Sequence, residues 1–217
     1  MDYAYLWETA PLFYRALLVT LQLAGWSIGL SLLVGLAVAL LRTYPLRVLT
    51  PLAGAYVELS RNTPLLIQLF FLYFGLPKLG IHWDGFVCGV IALTFLGGSY
   101  MGEALRAGLQ AVQASQIEAA RALALSPYQI FRHIVLPQAL AVALPALTAN
   151  VIFLIKETSV VYAVSVPELM GITRDVITSE YRTNEALLLL LISYGLVLLP
   201  LVLLAHHLER RSRRHHA

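Results

Sequence analysis

EAARALALSPYQIFRHIVLP, residues 118–137, is a polar stretch with hydrophobic segments on both sides. Its pattern predicts a short helix, a break and a second short helix. Ser126 can cap the second helix, Pro127 suits its first turn, and Gln129 completes a Ser-x-x-Gln capping box. Such a hairpin on the face of a membrane bundle either fits the groove of a partner protein or rests on lipid headgroups as an amphipathic helix.

The composition indicates a single-domain all-α membrane protein over residues 1–217. The chain is 59% hydrophobic and only 12% charged. A helix needs about 20 apolar residues to cross a bilayer, and five segments qualify. They run approximately over residues 17–41, 52–76, 86–105, 138–160 and 186–207. No small-residue cleavage site follows a short apolar core near the start, so the first segment is not interpreted as a removable signal peptide.

The distribution of Lys and Arg predicts the orientation of these segments. One set of connections carries Arg42, Arg47, Arg106, Arg121, Arg132, Arg210, Arg211, Arg213 and Arg214. The other set carries fewer basic residues, and acidic residues in the same connections offset their charge. We therefore expect the N-terminus outside, and the hairpin and the C-terminus in the cytoplasm. The basic tail follows a membrane helix, so anionic lipid is its expected contact and nucleic acid is not.

The second hydrophobic segment contains polar residues near its middle: Glu58, Ser60, Arg61, Asn62 and Thr63, followed by Pro64. Pro64 removes a backbone donor, so it is expected to break the helix and free carbonyls near Ser60. Irregular backbone at membrane depth is tolerated where protein buries it or a water-filled cavity borders it. The segment is therefore either a structural kink with ion pairs or a wall of a translocation cavity.

A second polar cluster, residues 156–159, interrupts the fourth segment with Lys156, Glu157, Thr158 and Ser159. Neighbouring residues on a helix cannot easily pair with each other. Partners for Lys156 and Glu157 are therefore expected elsewhere, at Glu58, at Arg61 or on a ligand. Opposite charges that face a cavity suit a zwitterion, and a structural ion-pair network is the alternative.

Several kinds of chemistry find no support in the sequence. It has no G-x-x-x-x-G-K-[ST] phosphate loop and no nucleophile–base set, so the chain is not expected to be an enzyme. His206 and His207 have a single acidic residue, Glu209, and no Cys near them in the chain, so no metal site is expected. An ion-driven secondary transporter would normally show internal repeats, which are not visible here. A membrane enzyme or an assembly subunit is a further alternative.

Two smaller features concern the ends of the predicted helices. Glu103 and Arg106 are one turn apart and can pair. Residues 165–170, SVPELM, predict a loop followed by a short interfacial helix, which is either a gate or an ordinary connection.

Residues 118–137 resemble the EAA loop of ABC importer permeases. That pattern is EAA, three residues, Gly, nine residues and I-x-L-P, and this chain has Glu118-Ala119-Ala120 followed by Ala124 at the Gly position. Ile134-Val135-Leu136-Pro137 falls at the expected spacing. Ala suits a helix unless the backbone must be left-handed, so the change at Ala124 is expected to be mild.

Most of the chain resembles permeases of polar amino-acid importers of the histidine and glutamine type. Six short motifs occur in the same order across residues 61–169: RNTPLLIQ at 61–68, YMGE at 100–103, Q-x-EAA at 116–120, LPQA at 136–139, KETS at 156–159 and VPEL at 166–169. Ala107 stands where a second Gly is usual, which concerns packing more than chemistry.

The resemblance implies a type I ABC importer permease in the cytoplasmic membrane of a prokaryote. Two such permeases, identical or paralogous, would assemble with two cytoplasmic ATPase subunits that carry ATP-Mg, and an extracytoplasmic binding protein would deliver the amino acid. This chain itself would hold no cofactor. The cargo remains open between a polar amino acid, an opine, a sulfur amino acid and another small zwitterion.

The resemblance also implies roles for individual residues. The loop at 113–137 would couple to the ATPase through Glu118, Ala119, Ala120, Arg121, Ala124 and Pro127. The substrate cavity would be formed by Arg61, Asn62, Thr63, Lys156, Glu157 and Thr158.

Overall fold

The computed structural model describes residues 2–44 and 46–214, with side chains up to residue 207, and its regular elements are helices. In chain order they are α1 (Tyr3–Thr43), α2 (Leu49–Asn62), α3 (Leu65–Phe70), α4 (Gly85–Gln110), α5 (Ala114–Ala122), α6 (Pro127–Ile130), α7 (Leu136–Glu157), α8 (Leu169–Glu180) and α9 (Thr183–Arg214). A π-helical turn at Phe71–Gly75 and a 3-10 turn at Leu76–Leu79 extend α3, a π-helical turn at Phe131–Val135 joins α6 to α7, and a 3-10 turn at Thr158–Val164 extends α7. The predicted all-α fold is confirmed.

Four helical stretches within the described part of the chain are long and apolar enough to cross a membrane. They are Tyr3–Thr43, Gly85–Gln110, Pro127–Val164 and Thr183–His207. They contain the predicted segments at 17–41, 86–105, 138–160 and 186–207. The remaining prediction, 52–76, falls on a broken helix whose two parts are each too short to be counted in this way.

The break in that helix occurs where Pro64 predicts it. α2 ends at Asn62, Thr63 has extended backbone with φ −111° and ψ 127°, and α3 begins at Leu65. The Gln68 side-chain amide donates to the carbonyls of Ser60 (3.0 Å) and Thr63 (2.9 Å). These bonds satisfy backbone acceptors that the broken helix leaves free.

The close pair α1 and α4 forms the centre of the bundle, and small residues allow the contact. A Cβ atom on Gly97 would overlap the Ser31 hydroxyl, and one on Gly35 would lie 2.8 Å from the backbone nitrogen of Gly102. Larger side chains at these positions would separate the helices. At one end of this pair, Glu103 binds both Arg42 and Arg106, the latter at 2.7 Å, so the predicted Glu103–Arg106 pair is confirmed.

Polar contacts join the start of α1 to the α8–α9 turn. The Asp2 backbone N–H donates to Glu185 Oε1 at 3.0 Å, and the Tyr5 hydroxyl donates to Glu180 Oε2 at 2.6 Å. The Arg182 guanidinium lies over the Tyr5 ring, 5.1 Å from its centroid. Residues far apart in the chain are therefore held together at this end of the bundle.

The connection before α8 has the predicted loop and short helix. The fully buried Glu168 caps α8, because its carboxylate accepts from the backbone N–H groups of Met170 (3.0 Å) and Gly171 (2.7 Å). Burial raises the pKa of Glu168 to about 7, although these two hydrogen bonds act in the opposite direction.

Candidate functional site

The polar hairpin folds as two short helices, α5 and α6, with a tight turn between them. The Ser126 hydroxyl accepts from the Gln129 backbone N–H at 3.3 Å, and the Ser126 N–H donates to Gln129 Oε1 at 2.8 Å. Pro127 is the first residue of α6, where its missing N–H costs no hydrogen bond. The predicted capping box is confirmed.

Ala124 has a left-handed backbone conformation, with φ at +59°. Its N–H donates to the Arg121 carbonyl at 2.9 Å, and the Leu125 N–H reaches back to the Ala120 carbonyl at 3.2 Å. A residue with a Cβ is strained in this region, which is why Gly commonly ends helices in this way. The expectation that Ala is only a mild change here is therefore wrong, because α5 has ended and the turn requires positive φ.

The predicted coupling residues divide into a buried one and an exposed set. Ala120 is 2% exposed and packs with Val112, Ile130 and Val135 beneath the hairpin. The exposed residues are Glu118, Ala119, Arg121, Ala124 and Pro127. The hairpin thus has its own small core and presents the rest of its surface outward.

Two large hydrophobic side chains on the hairpin were not singled out from the sequence. Leu123 is 77% exposed and Tyr128 is 72% exposed. They flank the turn at Ala124, beside the exposed Glu118 and Arg121. Such a combination of aromatic, aliphatic and charged side chains is typical of a protein-binding surface. The signal in the sequence that could have identified them is their position on either side of the predicted break.

An open cavity of about 280 Å³ lies at the break in the second hydrophobic segment. α2, α3, α4 and α7 all contribute to it. Its lining consists of Arg61, Asn62, Thr63, Pro64, Leu65, Leu96, Tyr100, Phe153 and Glu157. The structure therefore brings together four of the six predicted substrate residues: Arg61, Asn62, Thr63 and Glu157. Glu157 lies nearly a hundred positions after the other three in the chain.

The cavity combines one positive and one negative side chain with an aromatic wall. The Arg61 guanidinium lies 4.8 Å from the centroid of the Tyr100 ring, and the Tyr100 and Phe153 centroids are 5.5 Å apart. The Asn62 amide donates to Glu58 Oε2 at 3.0 Å, a hydrogen bond between residues one turn apart at the end of α2. An α-carboxylate suits Arg61 and an ammonium suits Glu157. The arrangement can accept a small zwitterion.

The other two predicted residues, Lys156 and Thr158, are not among those that line the cavity. Lys156 is exposed, whereas Thr158 is fully buried and its hydroxyl donates to the Ile155 carbonyl at 2.7 Å. Around residue 158, α7 tightens into a 3-10 turn, so side-chain directions there depart from the regular helical pattern. Tyr100 and Phe153 line the cavity instead, and sequence reasoning did not assign them to it.

Comparison with known sequences gives a consistent result. The family described as "Binding-protein-dependent transport system inner membrane component" matches residues 31–214. A probable amino-acid ABC transporter permease protein, PatM, of Vibrio harveyi is 37% identical over 202 residues, which cover 91% of each chain. A probable glutamine ABC transporter permease protein, GlnM, of Bacillus subtilis is 36% identical, covering 93% of this chain and 92% of the relative.

Solved structures share the fold. A crystal structure of an amino acid ABC transporter with histidines matches with a TM-score of 0.89 and 32% identity, covering 97% of this chain and 99% of that one. The MetNI methionine ABC transporter, in an inward-facing conformation, matches with a TM-score of 0.72 and 25% identity over 96% of this chain and 99% of that one.

Proposed function

Because the chain belongs to the family of binding-protein-dependent transport system inner membrane components, we propose that it is the permease subunit of an ATP-driven importer of polar amino acids. The observation that carries this proposal is the cavity in which Arg61 and Glu157 present opposite charges. Amino acids carry the complementary pair of charges at their α-carbon. The amino-acid permeases among the relatives support the same cargo.

The topology that fits this role has five crossings. The broken helix made of α2, α3 and their extension to Leu79 is the second crossing, since irregular backbone at membrane depth is tolerated beside a cavity. The excess of Arg in one set of connections supports an outer N-terminus and a cytoplasmic hairpin and C-terminus. Residues 1–217 then form one permease domain in the cytoplasmic membrane of a prokaryote.

In the cavity, Arg61 binds the substrate carboxylate and Glu157 binds its ammonium group. Asn62 and Thr63 supply polar contacts beside the break between α2 and α3, where the backbone is irregular. Tyr100 and Phe153 form the apolar side that accommodates the remainder of the substrate. For Lys156 and Thr158, a direct substrate contact remains a prediction from the family pattern.

The hairpin at 113–137 docks into a cytoplasmic ATPase, one hairpin for each of two ATPase subunits. The exposed Glu118 and Arg121 contact the ATPase, and the neighbouring Leu123 and Tyr128 insert into its groove. ATP-Mg is bound and hydrolysed by the ATPase subunits. An extracytoplasmic binding protein delivers the amino acid to a pair of permeases.

Transport then proceeds by alternating access. ATP binding brings the two ATPases together, the docked hairpins move with them, and the cavity opens outward to receive the amino acid. Hydrolysis returns the cavity to its inward-open form. ATP needs only to favour one of the two bundle conformations by a few kcal/mol.

Reconstitution of the permease with its ATPase and binding protein in proteoliposomes tests this function. Uptake of a labelled polar amino acid should require ATP and the binding protein, and a panel of unlabelled amino acids with acidic, basic and amide side chains should identify the cargo by competition. Uptake that continues without ATP, driven by an ion gradient, would contradict the proposed function.

A further inference from the structure

The hydrogen bonds of Asn62 determine which of its polar atoms remains available to the cavity. Its side-chain nitrogen donates to the backbone carbonyl of Glu58 at 2.8 Å and to Glu58 Oε2 at 3.0 Å. Carbonyl and carboxylate oxygens accept hydrogen bonds, so the nitrogen of the Asn62 amide must point toward Glu58. Both N–H groups of the amide are then in use, and Oδ1 is the atom left for other partners.

This orientation gives the cavity wall an acceptor, because Asn62 is one of the lining residues. In the proposed function, Arg61 and Glu157 bind the α-carboxylate and the α-ammonium group of the amino acid. The polar residues at the break that remain for its side chain are Asn62 and Thr63. Asn62 Oδ1 can only accept, whereas the Thr63 hydroxyl can donate or accept. The cavity therefore suits a side chain that carries N–H groups.

We propose that Glu58 is a specificity-determining residue that acts through Asn62: it holds the amide so that the cavity selects amino acids whose side chain donates a hydrogen bond. This class comprises side chains that end in an amide, an imidazole or a guanidinium group. An ionised acidic side chain has no donor for Asn62 Oδ1, and loss of such a bond discriminates between substrates of nearly equal shape. The proposal rests on the proposed function, because it assigns the two α-carbon charges to Arg61 and Glu157.

A direct effect of the Glu58 charge is the alternative explanation for the same preference. Glu58 is not among the residues that line the cavity, but a nearby carboxylate repels an acidic side chain whatever the orientation of Asn62. Gln at position 58 separates the two explanations, because its side-chain oxygen can still accept from Asn62 although the charge is gone. Glu58 is exposed, so its replacement should leave the packing of the bundle intact.

Lys at position 58 should release the Asn62 amide. The Lys ammonium group has donors and no acceptor, so it cannot hold the amide nitrogen. The backbone carbonyl of residue 58 is unchanged and still accepts one N–H group. The amide is therefore freed to offer either its oxygen or an N–H group to the cavity. We expect the selection to be lost in this variant, without a reversal of the preference.

Equilibrium binding to the permease–ATPase complex tests selection by the cavity itself, because the binding protein and its own specificity are left out. Labelled glutamine is displaced by unlabelled glutamine or glutamate, two amino acids of similar shape that differ in an amide against a carboxylate. The wild type should prefer glutamine by about tenfold or more, as one hydrogen bond allows. Glu58→Gln should keep this preference within about threefold, whereas Glu58→Lys should reduce it by about tenfold. Glu8→Lys is the matched control for net charge and should keep the wild-type preference.

A double variant tests whether Glu58 acts through Asn62. Asn62→Leu removes the amide and should by itself reduce the glutamine preference by about tenfold. Adding Glu58→Lys to Asn62→Leu should change the preference by less than about threefold, because the residue through which position 58 acts is absent. Effects that multiply in the double variant would show that the two residues act independently and would overturn the proposal.

The remaining outcomes also decide the matter. Equal loss of preference in Glu58→Gln and Glu58→Lys would assign the selection to charge and not to the orientation of the amide. A wild-type complex that binds glutamate as tightly as glutamine, or that binds neither, would show that Asn62 Oδ1 does not select the side chain. Failure of the proposed function is recognised separately, by uptake into proteoliposomes that does not require ATP.

Discussion

The guanidinium of Arg61 lies over the ring of Tyr100, 4.8 Å from its centroid. Tyr100 itself packs against Phe153. The aromatic pair from α4 and α7 therefore fixes a side chain whose backbone belongs to α2. Any change in the spacing of these three helices moves the positive group that we propose to bind the substrate carboxylate.

Replacing Tyr100 by Leu should raise the KM for amino-acid uptake by about threefold to tenfold, because Arg61 loses a cation–π contact. Tyr100→Phe keeps an aromatic ring under the guanidinium and should remain within about twofold of the wild type. The measurement is initial uptake rate against substrate concentration in proteoliposomes. Equal KM values for the Leu and Phe variants would argue against this role for the ring.

Glu157→Gln should weaken uptake of zwitterionic amino acids by about tenfold, since it removes the carboxylate that we propose to bind the ammonium group. Assembly should be unaffected, as judged by co-purification of the ATPase. Glu8→Gln is the control for loss of a negative charge, because Glu8 is an exposed carboxylate near the start of α1. Unchanged uptake kinetics in Glu157→Gln would remove this residue from the proposed substrate site.

Glu118→Arg should leave the permease in the membrane but reduce its association with the ATPase by about tenfold, because an exposed charge in the proposed interface is reversed. Co-purification of a tagged ATPase measures the association. The same reversal at Glu8 controls for net charge and should have no effect. Recovery of the ATPase with Glu118→Arg at the wild-type level would contradict the docking role.

Ala124→Gly should stabilise the protein by about 1 kcal/mol, because Gly adopts positive φ without the strain of a Cβ atom. For a chain of this size, the melting temperature in detergent should rise by about 2–4 °C. Ala122→Gly, two residues earlier at the end of α5, is the matched control and should lower it. A lower melting temperature for Ala124→Gly would show that the left-handed turn is not strained.

Thermal stability should fall as the pH rises from about 4.5 to about 7, because Glu168 loses its proton over this range. Its pKa is about 7 in the folded protein and 4.5 in its ordinary state. The folded state therefore binds the proton more tightly, and this stabilisation is complete below about pH 4.5 and lost above about pH 7. The change is at most about 3 kcal/mol. Melting temperatures of Glu168→Gln over the same range should lack this slope, and an equal slope would assign it to other groups.

Local signals in the sequence predicted the break at Pro64 and the capped hairpin, since both depend on residues close together in the chain. The grouping of Arg61 with Glu157 was also expected, through the family pattern. The position of Lys156 outside the cavity lining was not expected, because the motif does not show which of two adjacent helical residues, Lys156 or Glu157, faces the cavity. The positive φ of Ala124 depends on the length of α5, and one sequence cannot fix a helix end that closely.

Contacts between distant parts of the chain could not be predicted from the sequence, for a different reason. Tyr5 bonds to Glu180, and Tyr100 packs on Phe153, only because the bundle places their helices side by side. Periodicity indicates which face of a helix is apolar, but it does not name the neighbouring helix. The aromatic wall of the cavity therefore became visible only in the structure.

α6, the π-helical turn and α7 form one continuous helical path from Pro127 in the hairpin to Glu157 in the cavity. If the ATPase binds at one end and the amino acid at the other, thermodynamic linkage makes their effects reciprocal. An amino acid that favours one arrangement of the cavity then changes the affinity of the hairpin for the ATPase by the same factor. Arrival of cargo would in this way change how tightly the permease holds its ATPase.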